Sequence, residues 1–337
     1  MTRLDTDDGV VAALRPAQEP DSAADGPRAL LLESREVPLG GVRAMSVHRS
    51  LPQRDLPLVG AWCFLDRFGP QVTRMRVEPH PHIGLQTVTW PFAGDIRHRD
   101  TVGSDVVLSR GALNLMTSGE GIAHSEYSLG EEAVPLDALQ LWVALPDSRR
   151  HGAPAFERHE ELPSVHLAAR SGPPVAATVV LGELAGVSSP ATTYTPIVGA
   201  EIRLPAGSRV EIPLKPEWEY AVVGVEGLTT VTTGIPSIES ALDVDRHHLL
   251  YLGTGRESVK VAADGEALVF LIGGEPFEDE IVMWWNFVGR THEEIVDARN
   301  AWEADAARFG HVVEHGNERV PAPPLPAVRL TRRRRRV

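Results

Sequence analysis

Cysteine, lysine and long apolar runs are what this chain of 337 residues has least of. Its single cysteine, Cys63, rules out an internal disulfide framework. No stretch reaches the roughly 18 consecutive apolar residues that a membrane-spanning helix needs. The opening residues, MTRLDTDDGV, are acidic and have no apolar core of the kind a signal peptide carries. These absences set the expectation of a cytoplasmic protein with no membrane attachment. Lys215 and Lys260 are the only lysines, so nearly all positive charge is arginine. The formal net charge is −13. Residues 308–337 hold eight Arg and two Glu, which leaves −19 on the remainder. A body so acidic repels a phosphate backbone, and direct nucleic-acid binding by the folded part is not expected.

Hydrophobic content of 42% and charged content of 23% are those of a globular chain, and the length suits two domains. Residues 1–27 mix Pro, Ala, Asp and Gly without an apolar period and read as a disordered N-terminal segment. From Arg28 onward, short apolar runs such as 86–92, 106–108 and 138–145 alternate with Gly, Pro and Asp. That is the pattern of an all-β barrel or sandwich, here over 28–146. Residues 147–175 are polar and rich in His, Pro and Glu, and read as a connection. A second set of strand-like runs predicts a second barrel over 176–290, a diverged copy of the first. Thr291 to Glu294 spell a capping box, and Ile295, Ala298 and Trp302 follow at helical spacing, so a helix is expected over 291–308. The remainder, 309–337, is a Pro/Arg-rich tail with a proline run at 321–326 and arginines at 332–336. It reads as solvated chain, or alternatively as an arm for an anion or a partner.

The chemistry is concentrated in His80-Pro81-His82 and His124-Ser125-Glu126. Side chains one residue apart in a strand share a face, so each triplet presents two donors together. Two such strands side by side would converge three imidazoles and one carboxylate on a single divalent ion, with coordination positions left open. Ligand type alone does not choose among iron, manganese, nickel, cobalt and zinc. His98 lies in the turn-like GDIRHRD and reads as a structural or solvent-facing residue, with the mouth of the site as the alternative. His247 and His248 are adjacent and would face opposite ways in a strand. Cys63, in the apolar AWCFL, reads as a buried inert thiol. Trp284 and Trp285 read as a packing cluster, and Glu120 as an exposed residue with no assigned chemistry.

FLDRFGP, EPHPHIGLQTVTW, GDIRHRDTVGS and LNLMTSGEGIAHSEYS, in the stretch that starts at Trp62, resemble the pirin family of the cupin superfamily. The similarity is dense over 37–143 and resumes at LVFLIGGEP, residues 268–276. This resemblance implies a bicupin: two β-barrels packed face to face, followed by a helix. It implies one iron per chain, in the first barrel, held by His80, His82, His124 and Glu126, and a second barrel without metal. Many cupins carry a glutamate four residues after the second histidine of the pair. Here that position is Gln86, which either orients a water or substrate or simply packs, and Glu126 becomes the source of the carboxylate.

Some pirins oxidise quercetin with dioxygen; others are transcriptional co-regulators or bind metabolic enzymes. The leading expectation is therefore an Fe(II) dioxygenase opening flavonol-like enolic substrates, with Glu126 also accepting the substrate's proton. The alternative is a metal-dependent, redox-sensing regulator that binds a protein partner without turnover. A third reading keeps the iron site but assigns it a different small metabolite. A monomer is the default expectation.

Overall fold

The computed structural model describes residues 26–39, 45–234 and 241–333. The disordered segment expected over 1–27 lies outside the described residues up to position 25, as do residues 334–337 of the tail. The described chain is mostly antiparallel β-structure in two halves, with a late helix, His292–Glu303. Among the described residues, no helix is long and apolar enough to cross a membrane.

The first half is built from two sheets. A seven-stranded sheet runs in the spatial order Ala155–His159, Leu113–Thr117, Leu85–Ala93, Val134–Ala144, Trp62–Thr73, Met45–Leu51 and Arg35–Leu39. A four-stranded sheet runs Arg76–His82, Ile122–Ser128, Ile96–Asp100 and Asp105–Leu108. The two pack face to face: the Thr89 hydroxyl reaches Glu126, the His82 ring meets Trp142 edge-on with centroids 5.2 Å apart, and Phe156 stacks on His98. The second half is a twelve-stranded sheet whose interior is filled by Val198, Ile202, Val222, Leu250, Val269, Leu271 and other apolar side chains.

Strand Leu85–Ala93 shows how the sequence positions the site. It is buried on both faces, so it reads as a nearly continuous run. Val88 and Trp90 point outward into a core shared with Val180, Val223, Leu249 and Phe270 of the second half. Thr87 and Thr89 alternate with them and face the space between the two sheets of the first half. Trp62 locks the halves together. Its indole N–H donates to the carbonyls of Val198 (3.0 Å) and Gly273 (3.2 Å), and its ring lies on Gly199, where a Cβ would come within 2.9 Å. Buried Glu219 adds a second tie, accepting from the Gly60 N–H and the Tyr251 hydroxyl, each at 2.6 Å.

Strand Pro27–Glu33 pairs with His248–Gly253 in the second half, whereas Arg35–Leu39 pairs with Met45–Leu51 in the first. The chain thus crosses between halves at Ser34. Segment 147–175 contributes strands to both as well: Ala155–His159 joins the first half and Ser164–Ser171 the second. The helix starts as its capping residues require. Thr291 accepts from the Glu294 N–H at 3.2 Å, and Ile295, Ala298 and Trp302 are buried.

The tail departs from the solvated reading. Through residue 333 it lies on the protein: the Val320 N–H donates to the Pro79 carbonyl (2.8 Å), and the Arg333 N–H to that of Ile281 (2.9 Å). Phe309, Val312 and Ala322 are buried with the helix. A proline-rich segment has few N–H groups to satisfy, so it can lie against an apolar surface without a sheet partner. Counting charges along the tail did not reveal that.

Removal of the Trp62 side chain should leave a cavity between the halves. Trp62→Ala is expected to lower unfolding free energy by about 3–5 kcal/mol. Gly199→Ala, which forces a Cβ against the ring, should cost about 1–3 kcal/mol. Urea titrations followed by circular dichroism check both; unchanged midpoints would mean this contact does not hold the halves together.

Candidate metal centre

Strand Ile122–Ser128 runs antiparallel between two neighbours. Toward Arg76–His82, His124 lies opposite His80 and Ile122 opposite His82, with a shift in register between His124 and Glu126. Toward Ile96–Asp100, His124 lies opposite Asp100 and Glu126 opposite His98. Alternation then carries His80, His82, His98, His124 and Glu126 to one enclosed region. His82 and His124 are each 1% exposed, which leaves little water to compete for their nitrogens. The turn after His82 needs Gly84: its φ is +69°, and a Cβ there would meet the Val288 carbonyl oxygen at 2.0 Å.

His80, His82 and His124 form a triangle of donor atoms, all within 4.8 Å of one another. The Nδ1 of His80 lies 2.9 Å from the Glu78 carbonyl, and that of His82 lies 3.1 Å from the Asn286 carbonyl. A carbonyl can only accept, so each Nδ1 carries the proton and each Nε2 keeps its lone pair. The Nε2 atoms of His82 and His124 are 3.1 Å apart. Two nitrogens bound at right angles to one ion, each about 2.1 Å from it, would lie about 3.0 Å apart. Donor set and spacing therefore fit a divalent transition metal.

The electrostatics agree. Burial pulls the His80 pKa down to about 4, and those of His82 and His124 well below the usual imidazole value. All three are thus neutral bases near pH 7, the form that binds metals. Burial pushes the Glu126 carboxyl upward, opposed by His98 and by a hydrogen bond from Thr89. A nearby cation would stabilise its ionised form.

Glu126 sits differently from the three histidines. It belongs to a second, overlapping triangle with His98 and His124, also within 4.8 Å, while the Thr89 hydroxyl donates to its Oε1 at 3.1 Å. His124 is the vertex common to both triangles. GDIRHRD is not a turn: residues Ile96–Asp100 form a strand, and His98 is 2% exposed. Sequence reasoning reached His98 only as an alternative, at the mouth of the site, and missed Asp100. The signal was there, since Ile96, His98 and Asp100 alternate like the other two donor pairs. Among the described residues, both candidate metal-holding groups lie in the first half.

The other singled-out residues fall elsewhere. Gln86 shares the outward face with Val88 and Trp90 and donates to Thr117 Oγ1 (2.9 Å) and the Thr192 carbonyl (3.2 Å), so it packs between the halves. Cys63 is fully buried and burial pushes its thiol up to about 12, which makes it inert. Trp284 and Trp285 pack with the helix and tail. Aromatic rings wall the site: Phe64 stacks on Trp142 at 4.0 Å, and Phe156 on His98 at 4.6 Å. Asn114, directly opposite Thr89 across the strand pair, is buried, and its Oδ1 finds no donor.

Comparison with known proteins places this geometry in a family. The Pirin model matches residues 44–143, and the Pirin C-terminal cupin domain matches 199–310. A Pseudomonas aeruginosa protein named "Putative quercetin 2,3-dioxygenase" is 41% identical over 302 residues, covering 87% of this chain and 89% of that protein. The crystal structure of a quercetin 2,3-dioxygenase from Acinetobacter baumannii superposes with a TM-score of 0.81 at 35% identity, covering 90% of this chain and 97% of that one. A bacterial pirin from Escherichia coli, described in complex with nickel(II), shares the fold at a TM-score of 0.56 and 15% identity, covering 74% of this chain and all of that one (100%).

The two triangles share His124, and its Nε2 faces the first of them, among His80 and His82. Elemental analysis of protein purified without a histidine tag should find about one transition-metal ion per chain. His82→Ala and His124→Ala should each lose it. Retention of the ion by both variants would place the metal elsewhere.

Proposed function

The chain belongs to the pirin family, and we propose that it is an iron-dependent dioxygenase that opens flavonol-like enolic substrates. His80, His82, His124 and Glu126 would hold the ion. The observation that carries this reading is the pair of buried imidazole nitrogens 3.1 Å apart, one of them with its proton fixed on the far side of the ring by a carbonyl. Support for the substrate class comes from the names borne by the 41% identical relative and the 35% identical structure.

A ferrous ion at this position would supply Lewis acidity and an electron path to dioxygen. The chain supplies the rest. Three neutral imidazoles and one carboxylate would leave a single positive charge on a divalent ion, so the site would attract an anionic substrate oxygen. Glu126 accepts the enol proton. The Thr89 hydroxyl, which donates to its Oε1 at 3.1 Å, fixes its orientation. The Asn114 Oδ1 offers an acceptor for a substrate hydroxyl, and the Trp142, Phe64 and Phe156 rings exclude water from the reacting carbons. The overall conversion consumes one dioxygen, cleaves the central ring and releases carbon monoxide.

Aerobic incubation of the iron-loaded protein with quercetin should bleach the flavonol absorbance and release carbon monoxide. Glu126→Gln should lower kcat by about 10²–10⁴-fold, and His82→Ala should reduce turnover to the level without protein. An iron-loaded wild type no faster than His82→Ala would sink the dioxygenase reading and favour a regulator that binds a partner without turnover.

A further inference from the structure

We infer that His98 and Asp100 are a positioning dyad that fixes which nitrogen of His124 is free to bind the metal. The inference rests on the metal site proposed above, but its evidence is a separate chain of hydrogen bonds.

The chain begins at Asp100, which is 1% exposed. Its Oδ1 accepts from the backbone N–H groups of Val102 (3.0 Å) and Ser104 (2.9 Å) in the turn that follows. Its Oδ2 lies 3.0 Å from His98 Nε2. With two backbone N–H groups on one oxygen and a ring nitrogen on the other, the Asp100 carboxylate is an acceptor throughout. His98 must carry a proton on Nε2, and with its single ring proton placed there its Nδ1 holds a lone pair. That lone pair faces His124 Nδ1 at 3.4 Å. Two lone pairs cannot face each other without cost, so His124 places its proton on Nδ1.

The consequence lies on the far side of the His124 ring. Nε2 is left with a lone pair, aimed at His82 Nε2 3.1 Å away. His82 is in the same tautomer, because its Nδ1 proton goes to the Asn286 carbonyl. Two nitrogen lone pairs converging at this distance repel unless a cation lies between them. Stacking on Phe156, with ring centroids 4.6 Å apart and planes at 22°, keeps the His98 ring from turning away. His80 and His82 take their orientation from backbone carbonyls. His124, with no carbonyl partner for its Nδ1, takes it from a second histidine anchored by a buried carboxylate. Partners of this kind fix ligand tautomers and typically hold 10–100-fold of metal affinity.

Asp100→Asn tests the dyad with little change of shape. The amide oxygen can still accept from the turn, but the amide nitrogen now donates toward His98 Nε2. His98 must move its proton to Nδ1, where it faces the Nδ1 proton of His124. His124 is driven to the opposite tautomer, with a proton on the nitrogen that should hold the metal. His98→Phe removes the acceptor while keeping a ring against Phe156. Two readouts are needed. Long-range proton–nitrogen correlation spectra of the metal-free protein should show His98 protonated on Nε2 and His124 on Nδ1, both inverted in Asp100→Asn, with His80 and His82 unchanged. Cobalt(II), titrated against a competing chelator and followed by its visible absorption, should bind both variants about 10–100-fold more weakly than the wild type. A wild-type His124 protonated on Nε2, or variants that bind cobalt within twofold of wild type, overturns the dyad and leaves the metal site standing. A wild type that takes up no cobalt overturns the metal site, and the dyad's role with it.

Discussion

Strand Ile122–Ser128 is hydrogen-bonded along both edges, and this double pairing brings the donors together. One neighbour delivers His80 and His82, the other His98 and Asp100, while the strand itself carries His124 and Glu126. The register shift after His124 matters equally. In an unbroken ladder Glu126 would stand opposite Glu78; the shift sets it opposite Val77 and leaves it level with His98 on the other edge. Irregular pairing of this kind re-aims a side chain without breaking the sheet. It accounts for Glu126 sharing its triangle with His98 while His80 and His82 share the other.

A polar site of this depth survives only because the same strands build an apolar core on their other face. Thr87 and Thr89 look inward, whereas Val88 and Trp90 look into the core between the halves. The buried polar groups are nearly all bonded, as burial requires. Thr89 donates to Glu126 or Gln140, and Arg49 makes a two-pronged pair with Asp66 at 2.7 Å. Arg67 does the same with Asp137 and reaches the Val225 carbonyl of the second half. Such pairs add little net stability over apolar packing, yet loss of one member is costly because the other stays buried and charged.

The fold class was legible because turn residues recur at short, even intervals, and the metal histidines because HxH has only one geometric meaning in a strand. Other features depended on partners far away in sequence. His98 was read as turn-like because Gly94-Asp95 precedes it, and charged neighbours such as Arg97 and Arg99 hid the alternation. The residue that faces inward beside it, Asp100, gains meaning only from its 3.0 Å contact with His98. The pairing of Pro27–Glu33 with the second half, and the docking of the tail, rest on contacts more than 200 residues apart in sequence, such as Leu31 with Leu250 and Val320 with Pro79. No local periodicity encodes them.

These long-range contacts explain what a filled, apolar second half contributes to a site made wholly from first-half side chains. After its last strand, the chain returns to the first half. Ile281, Met283 and Val288 pack with Cys63, Phe64, Leu85 and Trp142. The turn between Val282–Trp284 and Phe287–Gly289 supplies the Asn286 carbonyl that sets the tautomer of His82, and the Val288 N–H bonds to Ile83 beside it. Further on, His315 reaches Ser125 Oγ at 2.6 Å, on the opposite face of the strand that carries His124 and Glu126. The first half thus provides the donors, and the segments that follow the second half hold two of their strands in place. A site whose nitrogens must meet within a few tenths of an ångström needs such bracing from both sides. The second half keeps that bracing in register by anchoring Trp62, the buried first residue of strand Trp62–Thr73, against Val198 and Gly273.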